Sequence, residues 1–194
     1  MEGGHEETPV VLYRIDASDR VVFVNDGWLE FAHANGTHSL ERERVLDQPL
    51  WSFITGPETA HVYRMIFGAV RRSGAPAGIP FRCDSPDRRR YMSLRIAPWG
   101  RDGLELEGRS LREEPRSPVA LLDAEASRGS DLLVLCSWCK RVRMGEAGDR
   151  WVDVEEAVRE LRLFDEPRLP RLSHGICPSC TEGMEADLSD DPTV

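Results

Sequence analysis

The sequence predicts an α+β chain in two units: a five-stranded antiparallel sheet with helices on one side, followed by a small cysteine-stapled module. Two observations predict the first unit. A pair of β-branched runs joined by turn formers opens the chain, and three more strand-like runs follow a stretch of helical period. The module is predicted by the cysteines, of which four out of five fall in the last third as two C-x2-C pairs.

Residues 10–15 and 21–24 are runs rich in β-branched and apolar residues, so with Asp16, Ser18 and Asp19 between them they read as a hairpin. Asn25 and Asp26 offer a helix N-cap, with Trp28, Leu29, Phe31 and Ala32 on the inward face of a short helix that closes near Asn35-Gly36. A further helical turn is expected over 49–54. After the break at Thr55-Gly56-Pro57, residues 58–73 place Val62, Met65, Ile66, Ala69 and Val70 at amphipathic spacing, and Gly74 stands as a C-terminal stop. Strands are expected over 79–83, 91–99 and 104–111. Turn chemistry joins them, through Asp84-Ser85-Pro86-Asp87 and through Gly100-Arg101-Asp102-Gly103.

The 194 residues hold one ordinary domain, or a small domain plus a stapled unit. With 30% charged residues no run reaches the roughly 18 to 20 apolar residues of a membrane span. The opening residues are acidic, with neither a basic nor an apolar region to direct secretion, so the expected setting is a reducing cytoplasm. There, clustered cysteines point to metal or redox chemistry before disulfides. The net charge is -9, concentrated in the last third, which speaks against duplex nucleic acid as a partner.

The order hairpin, short helices, longer helix and three-stranded meander over 8–112 resembles a PAS sensor domain. So do the passages DASDRVVFVND and VRRSGAPAGIPFRCDSPDRRRYMSLRIAP. The resemblance implies a small-molecule ligand between the sheet and the long helix, a protein partner in signalling, and pairing of two copies. The flavin-adduct cysteine motif of light sensors does not occur here. A haem version needs a histidine on the long helix, for which His61 is the candidate, with a surface position as its alternative. His33 and His38 read as loop residues. Residues 113–131 read as a linker, either a solvated tether or a signalling helix.

Cys136-Ser137-Trp138-Cys139 and Cys177-Pro178-Ser179-Cys180 are two knuckles whose two-residue spacing aims both sulfurs of each at one point. Together they make a tetrahedron of thiolates, the environment of a structural Zn²⁺. A c-type haem is excluded because Lys140 and Thr181, not His, follow the second cysteines. An iron–sulfur cluster or a thiol–disulfide switch would use the same residues. His174 is an alternative ligand or a group that orients one. Between the knuckles, 151–161 reads as a helix with an acidic first turn.

The three blocks CSWCKRVR, RWVDVEEAV and SHGICPSC are similar to a cysteine module of bacterial two-component signalling proteins, and cover 132–187. The expected module is zinc-ribbon-like, with an acidic tail over 188–194. Cys83 reads as a small core residue or as a redox thiol, and Arg88-Arg89-Arg90 as a solvated hairpin tip or a dock for an acidic partner. No nucleotide loop, nucleophile with its base, or paired-carboxylate site occurs. The expected function is therefore a cytoplasmic PAS-type sensory or scaffolding protein coupled to a structural zinc module, not an enzyme. The alternative is a redox or iron-dependent sensor or enzyme using the four C-terminal cysteines.

Overall fold

The computed structural model describes residues 10–34, 40–54, 56–145, 150–163 and 168–189. Strands β1 (Val11–Ile15) and β2 (Val21–Val24) form the expected hairpin, in which Asp16 accepts from the amides of Ser18 and Arg20 and Asp19 takes the left-handed turn position. Asn25 then caps α1 (Asp26–Ala34) by accepting from the Trp28 amide at 2.8 Å, as the sequence predicts. A short helix not anticipated from the sequence, α2 (Arg42–Val45), and a 3-10 turn at Leu50–Ser52 lead to the long α3 (Pro57–Ser73). Pro57 opens α3, and Gly74 closes it in the left-handed conformation, donating its amide to the Val70 carbonyl.

Strands β3 (Ala77–Arg82), β4 (Arg88–Trp99) and β5 (Gly103–Pro115) complete a sheet of order β2-β1-β5-β4-β3, antiparallel at every pair. The β period sends Ile15, Leu94, Ile96, Leu104 and Leu106 inward, against Phe67, Ile66 and Val70 of α3. Arg14, Glu105, Arg95 and Glu107 point to the other face, where Arg14 pairs with its cross-strand neighbour Glu105 at 2.8 Å. The α3 stripe is shifted from the predicted one: Phe67 is buried, whereas Met65 is 43% exposed.

The last third is more than a ribbon. Strands β6 (Arg128–Cys136), β7 (Val142–Met144), β8 (Arg150–Val152) and β9 (Leu169–Gly175) form a sheet of order β8-β7-β6-β9, antiparallel except for the parallel β6–β9 pair. Helix α4 (Val154–Glu160) lies between β8 and β9, and α5 (Pro178–Ser189) follows β9. Trp151 and Val152, predicted at the start of the helix, belong to β8. The module has its own core, in which Val154, Ala157 and Val158 pack with Leu135, Val142 and Val152.

The expected linker is neither tether nor helix. Strand β5 runs on to Pro115, Ala120–Leu122 form a single 3-10 turn, and β6 begins at Arg128. Val119 and Leu121 are buried in the module core, because their apolar side chains alternate with exposed ones and find a surface there. Helix α5 extends through Ser189, into the segment expected as an acidic tail, of which residues 190–194 lie outside the described residues.

The two units are pressed together. Gly56, with φ of 93°, precedes α3 directly against β9, and a Cβ placed there would lie 2.6 Å from the His174 carbonyl oxygen. Gly56→Ala is expected to destabilise the chain by about 1–3 kcal/mol in urea unfolding; an unchanged midpoint would mean that this approach is not tight.

Candidate metal centre and domain junction

Parallel pairing of β6 with β9 is what brings the two knuckles together. Cys136 ends β6 opposite Gly175 of β9, so both strands deliver their cysteine turns at the same end of the sheet. In the first turn the Lys140 amide donates to the Cys136 carbonyl, with Lys140 at φ of 61°. In the second, the Cys180 amide donates to the Cys177 carbonyl at 3.0 Å as α5 begins. Cross-links fix one turn on the other: Ser137 N–H donates to Gly175 O, and Cys177 N–H points at the Cys136 sulfur at 3.4 Å.

The four sulfurs all lie within 4.8 Å of one another, with Cys139 and Cys177 at 3.6 Å. A disulfide needs about 2.0 Å, and all five cysteines are free. A tetrahedron with metal–sulfur bonds of about 2.3 Å has sulfur–sulfur edges of about 3.8 Å, so the cluster can hold a metal ion. The Cys136 thiol pKa is driven far down by hydrogen bonds from the Cys139 and Cys180 thiols. Those donors are pushed up in turn, most of all by the same hydrogen bonds to Cys136. His174 lies in β9 opposite Leu135, outside the sulfur cluster, and burial followed by the charge of Lys140 lowers its pKa, which favours the neutral ring.

The centre is also part of the first unit's core. Cys136, Trp138 and Cys177 are buried in one cluster with Phe67, Val70, Ile79 and Leu94. Trp138 packs tilted against Tyr63 at 5.3 Å between centroids, and the aromatic row continues through Phe67 of α3 to Trp51 of the 3-10 turn at 5.8 Å each. The buried Thr59 hydroxyl meets the Ser137 hydroxyl at 2.7 Å. From β3, Arg82 donates its amide to the Trp138 carbonyl and its guanidinium to the Cys139 carbonyl at 3.2 Å.

A second set of ties is ionic. The carboxylate of Asp84 is fully buried and held by Arg82 and by Arg116, which also reaches Glu155 of α4 at 3.3 Å. Arg89 grips the same Glu155 oxygen at 2.6 Å, and the Glu155 pKa falls below its usual value because the Arg89 and Arg116 interactions outweigh the opposing effect of burial. The arginine run is thus not a solvated tip. Arg89 docks on the module, and Arg88 and Arg90 pair with Glu113 of the neighbouring strand.

The remaining sequence candidates fall elsewhere. His61 is on the exposed face of α3 and does not line the sheet–helix interior, which Phe67, Ile96 and Leu106 fill. His33 is in α1, not in a loop, and His38 lies outside the described residues. Cys83 is half-buried and burial pushes its thiol up, the opposite of an activated redox thiol. Sequence reasoning missed Thr59, Arg82, Asp84, Arg116, Trp138 and Glu155. Only Trp138 carried a signal, a large aromatic side chain between two cysteines of one tight turn.

No family model matches the sequence, and no curated protein matches it. Among solved structures, the chain is similar to the PAS domain of the quorum-sensing receptor RpfR of Cronobacter turicensis, at 16% identity and TM-score 0.40 over 56% of this chain and 99% of that one. It is similar to the PAS domain of BvgS of Bordetella pertussis, at 18% identity and TM-score 0.36 over 54% of this chain and 74% of that one. The photoactive yellow protein domain of the kinase Ppr of Rhodospirillum centenum aligns at 16% identity and TM-score 0.38, over 55% and 97%. Among the described residues, no helix is long and apolar enough to cross a membrane.

The purified chain is expected to carry one thiophilic metal ion, measured by elemental analysis, and Cys136→Ser or Cys180→Ser to lower that content severalfold. Retention should also fail as pH drops, because protons compete for the sulfurs. Unchanged metal content in both variants would refute the four-sulfur assignment.

Proposed function

We propose that the chain is a cytoplasmic PAS-type sensory or scaffolding protein of bacterial signal transduction, in which a structural Zn²⁺ on Cys136, Cys139, Cys177 and Cys180 locks the C-terminal module onto the sensor unit. The sequence resemblance and the hairpin, helices and meander of the first unit support the class. The observation that carries the coupling is that Cys136, Trp138 and Cys177 share one buried cluster with Phe67 and Val70 of α3.

The route of the signal then differs from the linker relay that domain order suggests. A ligand or partner that alters the packing of α3 changes the fit of Trp138 and Thr59 at once, with no transmitting helix between. Zinc suits this role, having no redox chemistry and a closed four-sulfur shell. It supplies folding free energy on the order of 10 kcal/mol in small domains. The output is contact with a signalling protein, and the chain needs no catalytic residues for it.

Two measurements test the reading. A colourless protein with about one zinc per chain agrees with it, whereas visible charge-transfer bands would favour the iron-dependent alternative. In hydrogen exchange, removing the metal with a chelator is expected to raise amide exchange in α3 and β3 as well as in the module. A rise confined to 128–189 would contradict the coupling.

A further inference from the structure

The four clustered sulfurs are unequally shielded. Cys136 and Cys177 are 0% exposed and packed in the core with Phe67 and Val70, whereas Cys139 and Cys180 are each half-buried. Cys180 also lines a cavity of about 500 Å³ that opens between the C-terminal half of α3, strand β3 and helix α5. Gly183 of α5 leaves part of that space free, since a Cβ added there would meet no atom within 4 Å. Cys180 is thus the member of the cluster that a small solute from solvent reaches, while the core covers Cys136 and Cys177.

A cysteine responds to peroxide when it is held as thiolate, reached by solvent and placed beside a second cysteine. These conditions meet at Cys180. A sulfur bound to a metal ion stays deprotonated, the cavity admits solvent, and Cys139 shares a hydrogen bond with Cys180 inside the 4.8 Å cluster. We infer, on the zinc reading proposed above, that the cluster is a peroxide-responsive switch in which Cys180 reacts first and Cys139 closes a disulfide onto it. The Cys180 thiolate attacks one oxygen of hydrogen peroxide: the S–O bond forms, the O–O bond breaks, and hydroxide leaves, taking a proton from solvent to become water. The Cys139 thiolate then attacks the Cys180 sulfur, so that the S–S bond forms, the S–O bond breaks, and a second hydroxide leaves as water with a second solvent proton. Two thiolates are oxidised by two electrons and one peroxide is reduced; the metal itself changes no charge. Cys139 is the partner because closing to about 2.0 Å requires movement, which the two half-buried residues have and the two core-packed ones lack. Two remaining sulfurs do not fill a four-ligand shell. Metal loss follows, and the turn bearing Trp138 loses the tie that holds it in one core with α3.

The zinc-loaded full chain, its metal content first measured by elemental analysis, is treated with hydrogen peroxide. Stoichiometric zinc release to a chromogenic chelator is expected, with loss of a single pair of thiols and a Cys139–Cys180 disulfide in the peptide map. Gly183→Leu should slow release severalfold at unchanged initial zinc content, because position 183 is a helical neighbour of Cys180 on α5 and the new side chain enters open space over it. Cys83→Ser should release zinc at the original rate. Zinc that stays bound after treatment, a first disulfide between Cys136 and Cys177, or release that requires Cys83 would overturn the switch, and an equal rate in Gly183→Leu would overturn the route through the cavity. A chain without zinc before treatment would remove the metal reading and the switch with it, whereas zinc retained under peroxide removes the switch alone.

Discussion

The convergence of four sulfurs is the constraint on which the rest of the structure depends. Adjacent parallel strands β6 and β9 end together, and each turns at once into a C-x2-C knuckle, so the topology alone carries Cys136 and Cys177 to one point. Neighbouring thiols that share hydrogen bonds titrate as a coupled group. Cys136 takes the negative charge, and Cys139 and Cys180 keep their protons to stabilise it. A divalent cation bound there would relieve that conflict and fix the first knuckle, which carries Trp138 and the carbonyls to which Arg82 donates.

Orientation comes from a different set of contacts. Burying the Asp84 carboxylate is costly, and the cost is offset only because Arg82 and Arg116 both face it. Arg116 then spends its remaining donors on the carbonyls of Ser85 and Pro86 and on Glu155. An apolar contact between the units would tolerate sliding, whereas this network is directional, since Arg89 and Arg116 converge on the same oxygen of Glu155. The junction is thus held by two sets of contacts, the cysteine turn against α3 and the arginines against α4.

Much of the first unit was legible in the sequence because its signals are local. The hairpin turn at Asp16, the Asn25 cap, and Pro57 and Gly74 at the ends of α3 act within a few residues of themselves, and each stands where the sequence places it. The cysteine spacing was legible for the same reason. What escaped depends on long-range pairing. The three-residue strands β7 and β8 are too short to show a period, and β9 is recognisable only beside β6. Residues 113–131 looked like a linker because their few apolar side chains, Val119 and Leu121 among them, gain meaning only from the core that receives them. Likewise the arginine run looked solvated until Glu155 was placed opposite Arg89.

Two units with separate cores, joined through a cysteine-bearing turn that belongs to the first core, should not unfold as strangers. Neither buries its full apolar surface without the other: Trp138, Tyr63 and Phe67 form one row across the boundary. Differential scanning calorimetry of the metal-loaded chain tests this most directly. A single cooperative transition that shifts as a whole to lower temperature when the metal is removed is the expected result. Two resolved transitions, of which only the smaller responds to the chelator, would contradict it.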